Sequence, residues 1–120
     1  MATSTESAHM AELADTLWYE RRLLEYLLFK LVSANLVLIA DDRRFVGPAI
    51  AEVDAVMAEI RRAEEQRSDV VANVASDHSV SPSAVGLAFL VENAPDALRA
   101  TFEDHQAVFM KLVAEIEILT

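Results

Sequence analysis

Histidine is the side chain best able to bind a metal or move a proton near neutral pH. This chain of 120 residues has three, His9, His78 and His105. His9 follows Glu6 at the Glu-x-x-His spacing with which a bundle helix offers two ligands to a di-iron centre. Such a centre needs a second Glu-x-x-His and two further inward glutamates, and the sequence has no second motif. His78 follows Asp77 in a polar stretch where spacing identifies no partner. His105 sits beside Glu103 and Asp104 in a slot that helical periodicity turns inward, so the expectation is a core or boundary histidine. The glycines, Gly47 and Gly86, form no phosphate-cradling loop, and no strand–turn–helix elbow presents a serine. With no cysteine there is no thiolate nucleophile, disulfide or zinc–sulfur site. The expectation is a protein without a catalytic centre, cofactor or metal.

Charge narrows the partners. The net charge is −10 and the isoelectric point about 4.6. A phosphate backbone is repelled by such a field, which argues against nucleic acid, and anionic membrane surfaces are disfavoured for the same reason. The opening MATSTESAHM has no basic segment leading into an apolar one, so it does not read as a secretory signal, and the cytoplasm is the expected compartment. Residues 1–9 read as a disordered lead-in and 10–120 as a single domain.

Hydrophobic residues make up 53% of the chain against only 2 Gly and 3 Pro. Few helix breakers and abundant Ala, Leu, Glu and Arg predict an all-α fold. A first helix is expected to start between Ser7 and Met10 and end at Ala40. Met10, Leu13, Leu17, Leu24, Leu27, Leu31, Ala34 and Leu38 follow one face, and Trp18, Phe29 and Leu36 flank it. Its stretch from Leu23 to Ala40 is apolar nearly all round, which predicts a central helix enclosed by neighbours. Glu25, Lys30 and Asn35 interrupt that stretch and argue against a membrane span.

A turn follows at Asp41 to Pro48, and the second helix starts either from a cap at Asp41 or Asp42, or from Gly47 with Pro48 at its first position. Val46, Ile50, Val53, Met57, Ile60, Glu64, Arg67, Val71 and Val74 then alternate by four and three, the seam of a coiled coil. Glu64 and Arg67 put charge into that seam, either as an i,i+3 pair or where water enters. The run Arg61 to Arg67 otherwise reads as a solvated face. Ser76 to Ser83 is a polar connector, and Ser81–Pro82 starts a short helix, Ser83 to Glu92. After a break at Asn93 to Asp96, the last helix repeats the seam at Leu98, Phe102, His105, Phe109, Leu112, Ile116 and Leu119. The reading is an elongated antiparallel three-helix bundle or coiled coil, with a short extra helix between helices two and three. Three rods leave a groove, and surplus apolar residues on the last one, Met110, Val113 and Ile118, make it the place to look for a binding surface.

With the helices placed, the stretch LeuTrpTyrGluArgArgLeuLeuGluTyrLeuLeuPheLysLeu (Leu17 to Leu31) resembles the first helix of the FlgN-type flagellar export chaperones, especially actinobacterial members. Glu52 to Val56, the AsnAlaPro break at Asn93 to Pro95, and Phe102-Glu103-Asp104-His105 extend the likeness over about Leu13 to Ile118. The resemblance implies a small cytoplasmic helical chaperone that binds hook–filament junction subunits and delivers them to the flagellar type III export apparatus. It places client binding on the last helix, about Asp96 to Thr120. On that helix Phe109, Leu112, Val113, Ile116 and Leu119 are the expected client-facing anchors, with Met110 adaptable at the edge. Members of the family usually continue beyond the point that Thr120 occupies here. The competing expectation is a homodimeric coiled-coil module whose surplus apolar surface pairs with itself.

Overall fold

A computed structural model of the chain describes residues 4–120. Its first helix, α1 (Ser4–Ala40), runs unbroken because no Gly or Pro interrupts it. It begins three residues before Ser7, so the part of the expected lead-in from Ser4 to His9 is helical, while residues 1–3 lie outside the described chain. It ends where Asp41 takes a left-handed backbone, φ 52°. Asp42 then caps α2 (Arg43–Asp77) with extended dihedrals, its carboxylate accepting from the Arg44 backbone N–H at 3.2 Å. The Arg44 guanidinium holds that carboxyl below its ordinary range. Of the two starts open in the sequence, the aspartate cap is the one used. Pro48 therefore falls in the second turn, where it has no N–H to give the Arg44 carbonyl.

Where one short helix was expected at Ser83 to Glu92, there are two pieces. Pro82–Ala84 is a single 3-10 turn, and α3 (Leu87–Asn93) starts after Val85 and Gly86. The last helix is α4 (Asp96–Leu119).

The fold is an elongated all-α bundle measuring 58 × 22 × 20 Å. The helix α1 is central: α2 returns antiparallel along one side and α4 packs along another. Leu90, Ala94 and Phe102 pack with Met10, Leu13 and Val74, so α4 leaves the end where α1 begins and runs in the direction of α1 and against α2, with Arg21–Asp104 at 2.7 Å and Trp18–His105 fixing its register. The helices α2 and α4 share no contact of comparable extent. The core gathers at the end where α1 begins and α3 closes the bundle, around Met10, Leu13, Leu17, Val70, Val74, Leu90 and Phe102.

Two sequence expectations change here. The seam of α2 runs through Val56, Ala63, Val70 and Val74, one position away from Met57, Glu64 and Val71 for much of its length. Glu64 and Met57 are exposed, so Arg67 alone brings charge into that seam. The stretch Leu23 to Ala40 is not enclosed either: Leu27 is its one buried side chain, while Leu36 is 61% and Ile39 80% exposed. By length and composition α1 could cross a membrane, since an 18-residue window averages a hydropathy of 1.8 with 6% of it buried. Lys30 in this half of the helix is paired with Glu52 of α2 at 2.9 Å.

Candidate functional site

Because α2 and α4 each rest on α1 and hardly on each other, the side of α1 between them stays open. The opening is a cavity of about 490 Å³. Leu13 and Leu17 of α1 contribute to it, with Arg67 and Val71 from α2 and Phe109 from α4. The Pro82 turn, Val85 and Leu87 add the bundle-closing segment to its lining. Phe109 also borders a second, more open hollow of about 360 Å³ with Met110, Val113, Ala114 and Glu117. The two hollows meet at a shared phenylalanine to form one track along α4, in which Arg67, Ser68 and Ser83 add polar groups to an otherwise largely apolar lining. A track of that composition suits the apolar face of a helix, which seats side chains at i, i+3, i+4 and i+7.

The six expected anchors divide on this surface. Phe109 is half-buried and belongs to both hollows. Met110, 70% exposed, and Val113 line the outer hollow. Leu112 is buried between α4 and the rest of the bundle. Ile116 and Leu119 are half-buried on the same inward stripe. Only Phe109, Met110 and Val113 are therefore brought together on the open surface.

Two buried polar side chains touch residues of the groove, Glu20 through Arg67 and His105 through Phe109. Glu20 is 6% exposed, and its Oε2 accepts from the Arg67 guanidinium at 3.0 Å while Oε1 has no hydrogen-bond partner. Burial pushes this carboxyl up from its ordinary value, Arg67 pulls it back, and Glu64 adds to the rise. A carboxylate left half-satisfied in an apolar wall is costly, so Arg67 serves both the groove and the stability of its floor. The sequence reading passed over Glu20, yet the signal was there: it fills the empty step between Leu17 and Leu24 in the heptad of α1.

The second is His105, 0% exposed, with no well-formed hydrogen bond at either ring nitrogen, although the Ala14 backbone lies near enough to act on the ring. Its ring meets Trp18 edge-on, with centroids 4.8 Å apart, and lies 6.0 Å from that of Phe109. Burial pushes its pKa down from 6.5, against an opposing pull from the Ala14 carbonyl. It is a core side chain at the α1–α4 contact, as its periodicity predicted.

The other histidines act as pins. His9 Nδ1 pairs with Asp77 Oδ2, tying the start of α1 to the end of α2. His78 stands edge-on to Phe89 at 5.4 Å and fastens the same end of the bundle to α3. Among the described residues, no three His, Cys, Asp or Glu side chains come close enough together to hold a metal ion. Set against protein families, curated proteins and solved structures, the chain finds no match.

Proposed function

We propose that this chain carries amphipathic helices of other proteins, as an export chaperone of the FlgN type. On this reading its clients are the flagellar hook–filament junction subunits, whose exposed terminal helices would otherwise self-associate before export. The observation that supports it is the track that starts over the buried Leu13 and Leu17, passes the half-buried Phe109 and continues to the exposed Met110 and Val113, between two helices that do not close over it. A guest helix laid there completes a four-helix cross-section and removes the apolar surface of both partners from water. Phe109 is the anchor, Met110 adapts to the guest, and Glu115 and Glu117 near the end of the track steer its approach and orientation.

Titration calorimetry of the chain against purified junction subunits, with and without their terminal helices, tests the proposal. Binding is expected to need the terminal helix and to weaken at least tenfold in Val113→Asp. That side chain is exposed, so the variant should keep the melting temperature of the parent. Equal binding to subunits stripped of those helices, or none to any subunit, would refute the reading.

A further inference from the structure

We infer that the far end of the α1–α2 hairpin is the site at which two copies of this chain pair. The argument begins with register. Since α4 keeps step with α1 at the same rise per residue, its last turn ends opposite about residue 33 of α1. Beyond that point the described helices are α1 and α2 alone, and a pair of helices leaves half of each rod uncovered. Leu36 and Ile39 lie beyond that point and Phe29 and Val32 just before it; all four are exposed, 60% at Phe29, and follow one another by three, four and three residues. That is the repeat of a coiled-coil seam, lying where none of the described residues covers it. Phe45 and Ile50 add exposed apolar surface from α2 at the same end.

Charge identifies the occupant. Residues 29–52 hold three acidic side chains, Asp41, Asp42 and Glu52, and three basic ones, Lys30, Arg43 and Arg44, with Lys30 and Glu52 paired to each other. This end is therefore neutral, and the entire net charge of −10 lies in the rest of the chain. Two copies meeting anywhere else bring like charges together; here they do not. A strongly charged partner finds no complement on this surface, whereas a second copy presents the same neutral, apolar stripe.

A twofold axis also fits. Antiparallel pairing sets Phe29 of one copy against Ile39 of the other and Val32 against Leu36, so one stripe serves both partners. Two hairpins so joined make a four-helix bundle, with the acidic bodies pointing away from each other. The groove at Leu13 and Leu17 is at the opposite end and stays open, so the dimer offers two guest sites and does not depend on whether guests bind.

Sedimentation equilibrium of the intact chain, alongside the double variant Leu36→Glu/Ile39→Glu, tests the inference. The parent is expected to be a dimer in reversible equilibrium with monomer. The variant should dissociate at least tenfold more readily with unchanged helical circular dichroism, because both side chains are already exposed. A parent that stays monomeric up to its solubility limit overturns the inference, and so does a variant that dimerises like the parent. A monomeric parent that instead floats with neutral phosphatidylcholine vesicles would make the stripe a lipid-facing surface, which also defeats it. Should the double variant misfold, Leu36→Cys decides: with no native cysteine, a short bismaleimide should link it into covalent dimers, and failure to do so counts against the pairing.

Discussion

Arg67 reaches from α2 to set a guanidinium nitrogen 3.0 Å from Oε2 of Glu20 on α1. The pair joins the one charged position in each helix's seam, across the antiparallel hairpin and away from the local partner that the sequence offered, Glu64. Replacing Arg67 with Met should cost about 2–4 kcal/mol in urea denaturation, since it strands a buried carboxylate. The double variant Glu20→Leu/Arg67→Met should recover most of that loss, because a matched apolar pair needs no desolvated charge. If the double variant is no more stable than Arg67→Met, the pair is not what the loss reports.

The same carboxyl gives a pH signature. Glu20 is pushed above 4.5 in the folded chain, so the fold holds its proton more readily than the unfolded state does. Its contribution to stability is fully present below pH 4.5 and is lost as pH rises through the folded-state value. In Glu20→Gln this component of the pH dependence should vanish from denaturation curves measured across the acid range.

His105 has the opposite sign. Its folded-state pKa lies below 6.5, so the unfolded chain takes up a proton that the folded chain refuses. Stability should therefore fall as pH drops below 6.5, at up to about 1.4 kcal/mol per pH unit for one proton. The charged groups facing the ring, Arg21 of α1 and Asp104 of α4, bind each other and persist in His105→Leu. That variant should lose this slope, and a profile unchanged from the parent would mean that another group is responsible.

Phe102 and Met110 stand two turns apart on α4 with opposite exposure, 0% and 70%. Phe102→Ala should destabilise the chain by about 3–5 kcal/mol through the cavity it leaves. Met110→Ala should stay within about 0.5 kcal/mol of the parent, as expected of a surface change. Thermal melts of both variants check the inside-to-outside assignment of α4 in one experiment.

Asp41 and Ser79 hold φ 52° and 53° at the ends of the long helices. Glycine adopts that conformation without a Cβ clash, so Ser79→Gly should stabilise the chain by up to about 1 kcal/mol. Asp41→Gly should gain less, because aspartate tolerates the left-handed region better than serine does. Melting temperatures that fall in both variants would show that the native side chains contribute contacts outweighing the backbone strain.

The sequence by itself determined the three long helices and, in α4, the buried positions Phe102, His105 and Leu112, but neither the helical start at Ser4 nor the split of the short helix into a 3-10 turn and α3. Periodicity is a local property, and although Met110, Val113 and Ile118 adjoin the stripe of α4 they do not extend into a second one. In α2 the competitors do recur: Val56 adjoins Met57, Ala63 adjoins Glu64 and Val70 adjoins Val71, so two seams one residue apart fit the pattern about equally. Only contact with α1 chose between them. Tertiary structure likewise decided that Arg67 meets Glu20, that His9 meets Asp77, and that the apolar half of α1 is left uncovered. Each of these depends on the offset at which two helices lie side by side and on where one stops against the other. No stretch of a single helix encodes that offset.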